Sequence, residues 1–140
     1  MATAMFPKAK EAFLSGSINL TADTIKVALV NITSDYTYSS ATQYLSGVTT
    51  YSGTSGVTLA SAGISVTNGV FNASSPVTFT SVAISNSKTV GALVIYKDVG
   101  GNAAVSPVIL YIDGFTAITP NGGNITITWD TGANKIFALN

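Results

Sequence analysis

Short apolar runs separated by turn-forming residues are the feature that most limits how this chain can fold. Val, Ile, Thr, Tyr and Phe recur in short segments, and Gly, Asn, Asp, Ser and Pro stand between them. The longest apolar runs cover residues 27–30, 92–96 and 108–112. All three are far below the roughly 20 residues that a membrane-spanning helix needs. Because these residue types and lengths are typical of strands, the sequence predicts a mainly β chain with no transmembrane segment.

Alternation of apolar and polar residues places the individual strands. Segment 24–30 alternates residues that we expect to face inward (Ile25, Val27, Leu29) with residues that we expect to face solvent (Thr24, Lys26, Ala28). Segment 77–82 alternates in the same way. The remaining segments form three predicted hairpins: 63–66 with 70–71 around Asn68-Gly69, 91–98 with 108–113 around 99–102, and 125–129 with 135–139 around 130–134.

Two segments depart from this β pattern. Residues 3–15 carry apolar side chains at three- and four-residue intervals, which predicts a short amphipathic helix with Pro7 in its first turn and Gly16 as its stop. Residues 33–56 are rich in Ser, Thr, Tyr and Gly with little regular alternation, which predicts a long loop with weak strand character. We therefore expect one domain, residues 1–140, with seven to nine strands in a β-sandwich or jelly-roll-like barrel and one short N-terminal helix.

Composition narrows the function. The chain has no His, Cys or Arg, only 9% charged residues and a net charge of zero, although 46% of its residues are hydrophobic. Catalysis at neutral pH usually uses His or Cys, so we expect no enzyme, no catalytic residue, no cofactor and no metal site. A zero net charge disfavours nucleic acid as a partner. So few charges beside a mean hydropathy of +0.43 favour burial of part of the surface in an assembly.

The acidic residues leave one enzymatic alternative open. Asp23, Asp98, Asp113 and Asp130 stand at predicted strand ends, where Asp caps turns. Two of the six acidic residues of the chain, with Asp113 and Asp130 as the first candidates, could flank a sugar as a glycosidase pair. We rank this interpretation last.

Tyrosines cluster in the predicted loop. They are Tyr36, Tyr38, Tyr44 and Tyr51. Aromatic side chains of this kind stack on sugars, anchor interfaces or pack a loop onto a core. The sequence does not choose among these roles.

The two ends of the chain resemble a known group of proteins. Segments 8–14 and 24–30, and then 92–98, 110–113, 118–130 and 132–137, are similar to small β-rich structural proteins of tailed bacteriophages, and most of all to capsid decoration, or cement, proteins. The resemblance implies a non-enzymatic virion component, assembled in the bacterial cytoplasm, on the outer surface of the capsid. It implies the major capsid protein and two further copies of the chain, in a homotrimer, as partners.

From these observations we predict an interface built by the helix and the tyrosine-rich loop. Its predicted residues are Phe6, Phe13, Leu14, Tyr36, Tyr38, Tyr44 and Tyr51. Two other functions remain open at this point: a tail, baseplate or fibre subunit of the virion, and a carbohydrate-binding adhesive module if the four tyrosines line a groove.

Overall fold

A computed structural model describes residues 3–31, 37–51, 56–59, 63–84, 88–129 and 136–138 of the chain. In these ranges the chain forms one α-helix, one 3-10 helix and ten strands. They are β1 (Thr3–Met5), α1 (Pro7–Leu14), β2 (Ile25–Asn31), the 3-10 helix (Leu45–Gly47), β3 (Val57–Thr58), β4 (Ile64–Thr67), β5 (Val70–Ala73), β6 (Val77–Phe79), β7 (Val90–Lys97), β8 (Val108–Ile112), β9 (Ile125–Ile127) and β10 (Phe137–Ala138). The predictions of a mainly β chain and a short N-terminal helix are confirmed.

The strands form three antiparallel sheets. The largest has five strands in the order β1-β8-β7-β2-β3, the second has three in the order β10-β5-β4, and the third pairs β6 with β9. Within the described part of the chain none of these sheets closes into a barrel.

The centre of the five-stranded sheet is buried on both faces. In β7 every residue except Lys97 is buried, and in β2 only Lys26 is partly exposed. Strands that are buried on both faces are continuously apolar, whereas strands with one face in solvent alternate. The sequence of β7, Val-Gly-Ala-Leu-Val-Ile-Tyr, fits the first pattern.

Different segments cover the two faces. On one face Tyr38, from the loop after β2, lies with its ring centroid 5.6 Å from that of Tyr111 in β8. Residues of and after β9 approach the other face, where Trp129 and Ile127 share a cavity wall with Leu93 of β7. Ala28 lies on the face that the loop covers, and it is only 6% exposed. The prediction that Ala28 faces solvent is therefore wrong.

The N-terminal helix is shorter than predicted. Residues Thr3–Met5 form a strand that pairs with β8, so the predicted start at residue 3 is wrong, and the helix begins at Pro7. Its end agrees with the prediction. The amide of Gly16 (φ +76°) donates to the carbonyl of Phe13, and the amide of Ser17 donates to that of Ala12. This pair of bonds is the Schellman ending that favours glycine.

Two of the three predicted hairpins are confirmed. β4 and β5 flank Asn68 and Gly69, whose φ angles of +51° and +76° fit the type I′ turn that Asn-Gly favours. β7 and β8 pair as predicted around the glycine-containing connection.

The third predicted hairpin is wrong, because its two strands lie in different sheets. β9 pairs with β6, which brings Ile125 opposite Phe79, and both side chains are buried there. β10 pairs with β5 instead, and the Phe137 ring lies 5.3 Å from that of Phe71. Apolar contacts between distant segments thus outweigh closeness in sequence. The predicted turn at 130–134 lies outside the described residues.

The predicted loop at 33–56 also extends the large sheet. The amide of Asn31 donates to the carbonyl of Thr49, and that of Tyr51 donates to the carbonyl of Leu29, so Thr50 lies opposite Val30 at the end of β2. Segment 77–82 is a strand only over Val77–Phe79, and Ser81 adopts a positive φ of 50° just beyond it.

Candidate interface

Two predicted interface residues belong to the core. Phe6 is 0% exposed, and Tyr51 is 1% exposed with its hydroxyl donating to the carbonyl of Ala83 at 2.8 Å. Neither side chain has surface to offer a partner, so for these two positions the prediction is corrected. Phe6 is the residue directly after β1, which pairs with β8, and Tyr51 is the residue directly after Thr50, which pairs with Val30. These pairings bring both side chains into the core.

The loop tyrosines do not form one aromatic surface. Tyr51 lies opposite Leu29, whereas Tyr38 packs against Tyr111, which belongs to the other face of the same sheet. The Tyr38 ring also lies 5.1 Å from that of Phe6, and its hydroxyl donates to the carbonyl of Met5 at 3.4 Å. Tyr36 lies outside the described residues. A sugar-binding groove that contains both Tyr38 and Tyr51 is therefore incompatible with this fold.

The other predicted residues differ in exposure. Phe13 is partly buried and packs on Phe137, with 6.3 Å between ring centroids. Leu14 is 90% exposed at the end of α1, and Tyr44 is 37% exposed. Leu14 and Tyr44 thus keep surface that a partner could contact.

Tyr44 has exposed apolar neighbours that the sequence did not single out. Val99 and Val105 are 38% and 46% exposed, and both lie in the connection between β7 and β8. We call Tyr44, Val99 and Val105 the loop-end patch. The sequence signal was present, since two valines stand in a connection otherwise rich in glycine and polar residues, where nothing local buries them.

Backbone hydrogen bonds join the two loops that carry the patch. The amide of Leu45 donates to the carbonyl of Ser106 at 2.9 Å, and the amide of Ser46 donates to that of Ala103 at 3.0 Å. Ser106 is fully buried, donates its hydroxyl to the carbonyl of Asn102 and accepts the amide of Val99. A buried polar group with satisfied hydrogen bonds fixes the surrounding backbone, so the patch is held on an ordered base.

The same two loops contribute Leu45 and Ala103 to the lining of a small polar cavity of about 260 Å³. Its charged groups are paired, because the Lys26 ammonium lies 3.0 Å from the Asp98 carboxylate. Burial, and secondarily the negative charge of Asp98, raises the pKa of Tyr96 to about 12. A phenol with this pKa stays protonated at neutral pH, so the cavity offers a hydroxyl and a neutral ion pair rather than a base.

A larger cavity of about 470 Å³ lies on the other face of the sheet, between β7, β8 and β9. Its walls are mainly apolar and include Leu93, Ile127 and Trp129. Asp113 is the one acidic side chain among its described lining residues, and Asp130 lies outside the described part of the chain. A glycosidase needs two carboxyl groups, and the described lining supplies one.

Comparison of the chain with family models, with curated proteins and with solved structures finds no match. Within the described ranges no group of three His, Cys, Asp or Glu side chains is placed to hold a metal ion. The described helices include none with the length and apolar character needed to cross a membrane.

The segment between α1 and β2 is attached to the end of β7 by a hydrogen bond and an ion pair. Lys97 donates to the carbonyl of Ser17 at 2.9 Å and pairs with the Asp23 carboxylate at 3.1 Å. Burial opposes ionisation of Asp23, but the amide of Asn19 and the Lys97 ammonium outweigh it and hold the pKa of this carboxyl below its ordinary value.

The Asp23 carboxylate therefore stabilises the fold above about pH 4, and this stabilisation is lost as the pH falls through its lowered pKa. We expect Asp23→Asn to lower the free energy of unfolding by about 1 kcal/mol at neutral pH, because two favourable partners lose the charge. Urea unfolding at about pH 7 and about pH 2 tests this, and the difference from wild type should vanish in acid. Glu11→Gln is the control, since its ion pair with Lys8 is exposed and contributes less than about 0.5 kcal/mol. An equal effect of Asp23→Asn at both pH values would contradict the assignment.

Proposed function

We propose that this chain is a non-enzymatic structural protein of a tailed bacteriophage virion, and that it decorates and stabilises the outer surface of the capsid. The proposal includes the major capsid protein as partner and assembly of the chain as a homotrimer. The loop-end patch is the observation that supports it best. Its three side chains are exposed and uncharged, and they lie on two loops that backbone hydrogen bonds hold together.

The chemistry of the chain fits such a contact. Interface centres are poor in charged residues and rich in aromatic and apolar ones, while neutral hydrogen bonds fill the rest of the contact. The patch has this character, and the whole chain has only 9% charged residues. Together with the resemblance of the chain ends to decoration proteins, this favours a subunit that holds its neighbours by shape and neutral contacts.

We further propose that the sheets stack as a β-sandwich of the jelly-roll kind. One face of the five-stranded sheet supports this arrangement, because Leu93 of β7 shares a cavity wall there with Ile127 of β9, a strand of another sheet. A rigid layered body suits a protein that has to hold a loop surface against a shell.

Locating the chain in the particle tests the proposal. Antibodies against the purified chain, visualised by electron microscopy on intact virions, should label the faces of the head. Labelling confined to the tail would favour a tail, baseplate or fibre subunit instead, and absence of label from the particle would refute a virion role altogether.

The patch itself is tested by binding to heads that lack the chain. We expect the double variant Tyr44→Ser, Val105→Ser to co-sediment with such heads at least tenfold more weakly than wild type, which corresponds to the loss of about 1.4 kcal/mol or more. The matched control is Ile84→Ser, which removes an apolar side chain that is 66% exposed and lies outside the patch. Equal binding of the double variant and wild type, with both folded by circular dichroism, would exclude the patch as the capsid contact.

A further inference from the structure

The hairpin of β4 and β5 presents a sheet edge without a neighbour in the described part of the chain. The order β10-β5-β4 places β4 at the edge of its sheet. Its burial also differs from that of β5: Ser65, Val66 and Thr67 are all exposed, whereas Phe71 and Ala73 are buried. Consecutive residues of a strand point to opposite faces, so β4 exposes side chains on both faces, and no described strand pairs with its outer edge.

The register fixes which backbone groups point outward. In a two-residue hairpin the pair next to the turn, here Thr67 and Val70, exchanges both hydrogen bonds, and such pairs recur every second residue. The amide of Ser74 donates to the carbonyl of Gly63, which continues this series beyond Ser65. The amides and carbonyls of Ile64 and Val66 therefore point away from β5, and they form no hydrogen bond with another described residue.

Edge strands of soluble proteins are usually protected against pairing with another chain by charged side chains, by proline or by a bulge. β4 reads Ile-Ser-Val-Thr and contains neither a charge nor a proline. Its pairing with β5 runs from Ile64 to Thr67 without a register shift. The edge thus has none of these protections.

The sequence of β4 is complementary to itself. A two-fold axis through Val66 sets Val66 opposite Val66 of the partner and Ser65 opposite Thr67 of the partner. In this register the outward-pointing amides and carbonyls of the two Val66 residues exchange two hydrogen bonds. The two Val66 side chains form an apolar pair on one face, and Ser65 and Thr67 form hydroxyl pairs of a kind that hydrogen-bond across strands on the other. No like charges meet. We propose that two copies of this chain associate by antiparallel pairing of their β4 edges, with Val66 on the two-fold axis.

This contact is independent of the loop-end patch and of a virion role. An experiment can therefore refute the β4 contact without refuting the proposed function, and the reverse also holds. It lies on a different hairpin, and a two-fold contact can also join one trimer to the next. It adds a pairwise step to any three-fold assembly, so species in multiples of two are expected in solution.

A single cysteine tests the register directly, because the natural chain has none. Directly opposite residues in an outward-bonded pair lie about 5.5 Å apart between Cα atoms, within the range for a disulfide. We expect Val66→Cys to form a disulfide-linked dimer on mild oxidation. Ser65→Cys is the matched control, because each Ser65 would lie diagonally from its own mate at about 7–8 Å or more, too far for a strain-free disulfide. Equal crosslinking of both variants, or none in Val66→Cys, would overturn the proposal.

A second variant measures association without oxidation. Val66→Pro removes an amide that points away from β5, so the hairpin keeps its internal hydrogen bonds while the edge loses a donor. By analytical ultracentrifugation we expect wild type to dimerise and Val66→Pro to shift the midpoint at least tenfold higher in concentration. Ile84→Ser, an exposed apolar change elsewhere, should associate like wild type. A wild-type chain without two-fold association up to about 1 mM would refute the contact.

Discussion

Phe6→Ala is expected to lower the free energy of unfolding by about 3–5 kcal/mol, which is a large part of the stability of a single domain. The side chain is fully buried where β1 leads into α1, and its ring packs 5.1 Å from that of Tyr38. Its amide also donates to the carbonyl of Ile109, which fixes the backbone around the vacated space. The substitution therefore loses the transfer free energy of the ring and adds the cost of the cavity that it leaves.

Leu14→Ala provides the control for the same helix. Leu14 is 90% exposed, so its truncation should change stability by no more than about 0.5 kcal/mol. Urea unfolding followed by circular dichroism compares the two variants under one condition. If Phe6→Ala were as stable as Leu14→Ala, Phe6 would have to be exposed, and the packing of β1 described above would be wrong.

The sequence correctly predicted the elements whose conformation depends on a few neighbouring residues. Asn68-Gly69 takes positive φ at both positions and closes its hairpin as expected, and Gly16 ends the helix through its left-handed conformation. The apolar runs of β7 and β8 were long enough to identify as the two strands of a hairpin. In each case the information lies within a few neighbouring residues.

The pairing of distant segments could not be predicted in this way. β9 and β10 are close in sequence, and a hairpin was the simplest interpretation, but each has a better partner in β6 and β5. What decides this is burial of one apolar face against another, as in the contact of Phe137 with Phe71. That contact joins residues that are far apart in the chain, and no local pattern contains it.

The candidate interface was predicted only in part, because the exposure of a side chain also depends on distant contacts. Tyr44 was found because aromatic residues stand out in a polar loop, and Val99 and Val105 were missed because a valine beside a strand reads as part of the core. Phe6 and Tyr51 were misassigned, since an aromatic residue in a helix start or loop looks exposed until its tertiary partners are known. Exposure is a property of the folded chain.

The second prediction with a large expected effect concerns Ala28, on the face of β2 that the loop covers. From alternation alone Ala28 belongs with Thr24 and Lys26 on a face in solvent, and a charge there would be harmless. In the structure Ala28 is 6% exposed, lies opposite Val94 of β7 and shares its cavity with Leu45 of the covering loop. A carboxylate at this position would be buried, and the Lys26 ammonium on the same face already pairs with Asp98.

We therefore expect Ala28→Glu to lower the free energy of unfolding by about 3 kcal/mol or more, because an uncompensated charge is taken out of water and the loop is displaced. Thr24→Glu is the matched control, since Thr24 precedes the same strand, belongs to the same alternating set and is exposed. Urea unfolding at neutral pH compares both variants with wild type, and Thr24→Glu should stay within about 0.5 kcal/mol. Equal stability of the two variants would mean that the face is in solvent, which would remove the covering loop and with it the base on which the loop-end patch stands.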